Sequence, residues 1–327
     1  MPHITRRRVL SLALAVPFVL PNGRSWAQQN WPTRPILIVL PNAAGGGVDV
    51  MLRIVCARMA EVLKQPILIE NRPGGASVAA ATHVQTLPRD GYVFFNNSSQ
   101  HIMTQLLVKD LPFDYNKVFV PLSKTATYPQ AMTVHQDSPF KTPQDVIEYA
   151  KANPGKLRYG TSPRGGMGHM ATVEIEIRTG TKWLHIPYRN APDAPRDLAG
   201  GGTLDAVVIS TSTNLPYMQS GKIRPVAVTS AKRIALLPDV PTLAETVLPG
   251  YDMDDWSGLF AVTGTPEPLI ERMQQVFAEV SREPAIIAKM KPLGTELVGS
   301  TPAEFGKFIA EQQKILGNIV KVANITE

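Results

Sequence analysis

The segment from Pro41 to Lys64 constrains the chain most. The apolar run Ile36-Leu37-Ile38-Val39-Leu40 reads as a buried strand. It leads into Pro41-Asn42-Ala43-Ala44-Gly45-Gly46-Gly47-Val48-Asp49, after which Met51, Leu52, Val55, Met59, Val62 and Leu63 recur at helical spacing. A glycine-rich turn that opens a helix presents unpaired backbone N–H groups at the positive end of the helix dipole, which suits an anion. Glycines also serve simply to let a chain turn tightly, and the segment alone leaves both readings open. It is not a nucleotide P-loop, because no Gly-Lys-Ser/Thr follows, and not a dinucleotide fingerprint, because Val50 stands where the third glycine belongs.

The chain has 327 residues, enough for two domains with sizeable cores. Residues 1–27 read as an export signal. Arg6-Arg7-Arg8 precedes an apolar stretch, Val9 to Leu20, too short to span a bilayer, and Ser25-Trp26-Ala27 offers a cut after Ala27. Thr5-Arg6-Arg7-Arg8-Val9-Leu10 fits a twin-arginine route as well as the general one. Four arginines of the net charge of +6, Arg6, Arg7, Arg8 and Arg24, lie in this segment without an acid, so the mature chain is close to neutral. That removes the electrostatic case for nucleic acid. Cys56 is the only cysteine, so no internal disulfide forms; beside the apolar positions of the first helix it reads as a small buried hydrophobe. No later stretch is long and apolar enough to span a membrane, so a soluble mature protein without stable membrane insertion is expected.

Strand and helix signals alternate. Pro66–Ile69 and Gly91–Phe95 read as strands and Val78–Leu87 as a helix, the pattern of a mainly parallel α/β sheet whose ligands sit at the strands' carboxyl ends. The logic repeats. A helix over Pro143–Ala152, capped by Thr142, precedes a short strand at Leu157–Tyr159, a polar loop over Gly160–Gly166, and a helix from Met167 past Glu174. Strands are expected at Trp183–Tyr188, Leu204–Ile209, Ile223–Thr229 and Trp256–Val262. Helices at Pro268–Val280 and Pro302–Val322, the latter capped by Thr301, finish the chain. Two strand–loop–helix halves suggest two lobes across a cleft.

The loop from Gly160 to His169 is the second candidate anion site, where it is not simply a capped polar loop. It fails as a nucleophile elbow because Arg164 stands where glycine is needed. Asp49 reads as a helix cap or a ligand acceptor, His169 as a structural hydrogen-bonder or an anion donor, and Arg164 as a solvated arginine or a partner for a carboxylate. Trp256 suits core or hinge packing. Glu174, Glu176 and Arg178 look like a solvated helix face. No metal-ligand spacing is present, so neither a metal nor a cofactor is expected.

The segments "PILIVLPNAAGGGVDVMLR", "PILIENRPGG", "PRDGY", "LPFDYNKVFVPLS", "YAKANPGKLRYGTS", "HIPYRNAPDAPRDLAGGGTLDAVV", "SGKIRPVAVTSAKRIALLPDVPTLAE", "PGYDMDDWSGLFAVTGTP" and "LGTELVGSTPAEF" together resemble the solute-binding proteins of tripartite tricarboxylate transporters, the Bug family. The resemblance implies an α/β, two-lobed periplasmic binding protein fold of the type II, crossed topology. Lobe one would hold residues 30–128 and 254–327 and lobe two residues 129–253, with crossings near Thr127–Val134 and Trp256–Val262. It implies a periplasmic monomer that binds a mono- or dicarboxylate and hands it to membrane permease subunits. By position it points to Asn42, Ala44, Gly45, Gly46, Gly47 and Asp49, with Ser98 and Ser99 on the loop after the third strand, and to Thr161, Ser162 and His169 in lobe two. Val48 departs from the family's frequent threonine, Asn42 adds a polar group, and Pro163–Met167 differs from the usual small polar run.

A receptor of this kind needs no covalent step. The alternatives are a ligand-dependent partner of a membrane sensor, or a periplasmic hydrolase or lyase, which would need a nucleophile with a base at a recognisable spacing.

Overall fold

The computed structural model describes residues 31–162 and 164–325. The expected export signal and its cut after Ala27 lie outside the described residues.

The first strand, β1 (Ile36–Leu40), is buried, and it feeds helix α1 (Gly47–Leu63) through the glycine turn. Met51, Leu52, Val55, Cys56 and Met59 face inward from α1, as their spacing predicts. Strand β2 (Ile67–Asn71), helix α2 (Val78–Gln85), strand β3 (Val93–Ser98) and helix α3 (Gln100–Leu107) follow, then the long strand β4 (Phe119–Tyr128). β1 pairs in parallel with both β2 and β3, so their carboxyl ends share one edge. Strand β5 (Gln130–His135) begins a second sheet after the single residue Pro129. Helix α4 (Pro143–Ala152), strand β6 (Arg158–Thr161), helix α5 (Met167–Thr179) and strand β7 (Leu184–Pro187) come next. Helix α6 (Asp193–Gly200), strand β8 (Ala206–Ser210), helix α7 (Thr211–Gln219) and strand β9 (Ile223–Val228) complete that half. The chain then returns as strand β10 (Asp255–Val262), helices α8 (Glu267–Ser281) and α9 (Pro284–Met290), strand β11 (Glu296–Leu297) and helix α10 (Pro302–Val322).

The two sheets follow one plan. One has the order β11-β4-β10-β3-β1-β2 and the other β7-β6-β8-β5-β9. In each, the strand before a glycine loop, β1 or β6, lies between two parallel neighbours, and an antiparallel strand follows. The loops of interest therefore sit at topological switch points. This is the two-lobed α/β fold that the resemblance implied.

Two expectations need correction. The expected second crossing at Trp256–Val262 is wholly strand β10, held on both sides by β3 and β4; the return between sheets is made by residues 229–254. Trp256 is accordingly core, fully buried and edge-on to Phe305 and Phe308. Glu176 and Arg178 are not a merely solvated face, since Glu176 accepts from the Trp183 N–H at 2.6 Å and Arg178 donates to the Pro249 carbonyl at 2.7 Å. Cys56 is buried as read, and desolvation pushes its thiol up to about 12.

Candidate functional site

The two glycine loops repeat each other atom for atom in several respects. Gly45 has φ +81° and Gly46, at the N-cap of α1, has φ −71° and ψ 161°. Gly165 has φ +77° and Gly166, at the N-cap of α5, has φ −75° and ψ 170°. A positive φ at the first position is why glycine is needed there. Neither helix start carries a side-chain cap. Elsewhere the same chain builds full capping boxes, at Thr142 before α4 and at Thr301 before α10. The two uncapped starts leave backbone N–H groups available at positive helix ends.

Each loop is braced by the side chain four residues after its first glycine. The Gly45 N–H donates to Asp49 Oδ2 at 2.9 Å, and the Gly165 N–H donates to His169 Nδ1 at 3.1 Å. Asp49 is buried and also accepts from Arg53 Nε and Asn71 Nδ2, each at 2.9 Å. Burial raises its pKa, but the bonds from Arg53, the Gly45 N–H and Asn71 outweigh that and hold the carboxyl at about 2. Asp49 does not cap α1; Gly46 occupies that place. Because His169 Nδ1 accepts, the neutral ring carries its proton on Nε2. The ring stacks on His185 with centroids 4.0 Å apart, and His185 Nε2 lies 2.7 Å from Thr161 Oγ1. Burial, and then the charge of Arg164, lower His169 to about 4; burial, His169 and Arg164 lower His185 to about 3.

The remaining residues fall at the same strand ends. Ala44, Gly45, Gly46 and Gly47 are exposed, and Asn42 is half-buried with its carbonyl accepting from Asn71 Nδ2 at 3.0 Å. The Asn42 Oδ1 is buried and has no hydrogen-bond partner among the described residues. Ser98 is not on the loop but the last residue of β3, with its Oγ accepting from the Gln100 N–H at 3.3 Å. Ser99 is buried and its N–H donates to the Trp256 carbonyl at 3.2 Å. Gly160 and Thr161 likewise belong to β6, not to the loop; Thr161 is fully buried and Ser162 is half-buried.

Two components escaped the sequence reading. His185 sits on β7 with nothing in its neighbourhood to mark it. The loop Gly74–Ser77 carries four successive positive φ values, 113°, 56°, 47° and 70°, of which Ala76 and Ser77 are not glycine. Backbone of this kind persists only where its surroundings over-determine it. Here Thr104 Oγ1 donates to the Ala76 carbonyl at 2.5 Å, and Asn97 Nδ2 donates to Ser77 Oγ at 3.3 Å. Only the Pro73-Gly74-Gly75 turn signal hinted at it. Ala76 and Gln100, from the edge of the first sheet, and Arg164 and Gly165, from the second, line one cavity of about 260 Å3. Residues that follow β2, β3 and β6 thus share it, while the first glycine loop, Ala44 to Gly47, and the other residues to which the resemblance pointed do not line it. No cluster of three or more metal-ligating side chains occurs among the described residues.

Two α/β sheets whose carboxyl-end loops share a cavity define a two-lobed solute-binding protein. Residues 51–325 match the model of the Tripartite tricarboxylate transporter family receptor, and the chain belongs to that family. It is 31% identical over 303 residues, 92% of this chain and 90% of the relative, to the UPF0065 protein in the tcbD-tcbE intergenic region of Pseudomonas sp. strain P51. The R. palustris protein Rpa4515, solved with adipate, superposes with a TM-score of 0.76 at 30% identity, over 90% of this chain and 99% of that one. A TctC solute-binding protein from Polaromonas superposes with a TM-score of 0.78 at 26% identity, over 89% and 99%.

Proposed function

We propose that the protein is a periplasmic receptor that captures a small organic carboxylate between its two loop edges and delivers it to a membrane permease. One observation carries this reading: two uncapped glycine loops of the same conformation, on opposite sheets, each with its N–H groups at the start of a long helix. A carboxylate offers acceptor oxygens to both. The N–H groups of Ala44 and Gly47 receive it from one side and those of Ser162 and Gly166 from the other, with Asp49 and His169 bracing the loops from behind. Asn42, Ser98, Ser99 and Thr161 complete the surround. Hydrogen bonds to a charged group contribute about 1.5–3 kcal/mol each, so three or four, less the ordering costs, match micromolar binding at about −8 kcal/mol. Rpa4515 with its adipate supports a carboxylate. The sheets then close about the chain crossings, and the closed form docks on the permease. Residues 1–27 would serve as the removable export signal, with lobe one at residues 30–128 and 254–327 and lobe two at 129–253.

Thermal unfolding against a panel of carboxylates and amino acids tests the reading. A carboxylate at one hundred times its dissociation constant should add about 2.7 kcal/mol of stability, a shift of a few degrees in the midpoint. A panel without any carboxylate shift, on folded protein free of carried-over ligand, overturns it.

A further inference from the structure

The cavity between the two sheets has a charge that no described residue pairs with. Arg164 lines it, is exposed, and among the described residues has neither an ion pair nor a hydrogen bond. Other arginines are committed: Arg53 to Asp49, Arg58 to Glu283, Arg158 to Asp205, Arg224 to the carbonyls of Ser138 and Phe140. No aspartate or glutamate lines the cavity. Its other wall is largely apolar, with Met103 and Leu107 of α3, and Gln100 supplies an amide at the rim. The loop backbone next to Arg164 rests on the other sheet: Gly165 has a positive φ, and a Cβ placed there would come within 3.3 Å of Leu107 Cδ1 of α3.

We propose that Arg164 is the specificity-determining residue of the cleft: it pairs with a second carboxylate, at the far end of a short aliphatic ligand whose first carboxylate rests on the loop amides. The proposal rests on the carboxylate-receptor reading and narrows it to diacids. A guanidinium matches a carboxylate with two parallel N–H···O bonds. Met103 and Leu107 accept the methylenes between the two charged ends. At about 260 Å3 the cavity lies at the small end of ligand pockets, which favours a chain of a few carbons over an aromatic or a sugar acid.

Isothermal titration of the protein with succinate, glutarate and adipate, each beside the monoacid of equal carbon count, tests this. The wild type should bind at least one diacid about tenfold or more tighter than its monoacid. Arg164→Gln should bring that ratio close to one while leaving monoacid affinity in place, and Arg164→Lys, which keeps charge without the planar fork, should fall between. Unchanged unfolding midpoints separate these effects from misfolding. A diacid preference that survives Arg164→Gln overturns the proposal. So does a wild type that binds monoacids equally well, an outcome that leaves the carboxylate receptor standing. If no acid of either series binds, the diacid proposal falls, and the wider carboxylate panel decides the receptor reading.

Discussion

At the scale of single residues, the two loops are held by side chains of opposite acid–base character in the same geometric place. Asp49 is charged and committed, with a folded-state pKa near 2 against an ordinary 3.8. It therefore contributes stability that is complete above about pH 3.8 and is lost as pH falls through 2. The shift corresponds to about 2 kcal/mol. Asp49→Asn should lower the unfolding midpoint at pH 7 and flatten the acid limb between pH 4 and 2; an unaltered limb would show that the carboxylate is not the brace. The histidine pair works in the other direction. Both rings are held neutral, at about 4 and 3 against an ordinary 6.5, so the fold is most stable above pH 6.5 and weakens as pH drops toward those values. His185→Gln removes one of the two imidazoles, and stability measured between pH 6.5 and 4 should then slope less steeply than in the wild type.

At the scale of elements, α5 rides directly on β8. A Cβ at Gly168 would lie 2.3 Å from the Val208 carbonyl oxygen, a backbone atom that cannot swing aside. Gly168→Ala should cost about 1–3 kcal/mol and, by lifting the start of α5, weaken carboxylate binding as well. Thr301→Ala is the contrast. It removes a capping box worth about 1 kcal/mol from α10, whose start lies away from the cavity, and should leave affinity unchanged. Equal binding losses in the two variants would contradict this division. The same elements explain what the sequence disclosed. Helix α1 was legible because its apolar positions keep a 3.6-residue period, and α4 and α10 because Thr-Pro announces a capped start. Helix α3 was missed: Gln100-His101-Ile102-Met103 follows the strand without a cap or a turn residue, and only tertiary burial of His101, Ile102 and Met103 fixes it. The site was legible as two glycine loops, since a positive φ leaves a glycine in the sequence. The His169–His185 stack was not, because a contact across 16 positions between a helix and an edge strand has no local signature.

At the scale of the whole molecule, the sheets are joined by the single residue Pro129 on one side and by residues 229–254 on the other, where Thr229 Oγ1 donates to Asp254 at 2.8 Å. Two joints at one place allow one sheet to rotate on the other, a hinge motion. Small-angle scattering should show a smaller radius of gyration in saturating ligand than without it. An identical radius in both states would mean that the ligand enters an arrangement already closed.

The placement of β10 has a further consequence, for the order in which the chain acquires its structure. The second sheet is made from one unbroken run, Gln130 to Val228. The first is interrupted: β10 arrives from the far side of that run and lies between β3 and β4, which do not pair with each other. Until β10 is available, the amino-terminal third of the chain holds the three-stranded piece β2-β1-β3 and the lone strand β4, each with open edges. Contacts that close long loops form late, so the part of the protein made first is the part finished last. In pulsed hydrogen exchange during refolding, amides of β5, β6 and β8 should gain protection before those of β3 and β4. Were the proposed export signal read by the general route, which passes chains unfolded, an amino-terminal part unable to close on its own would delay premature folding.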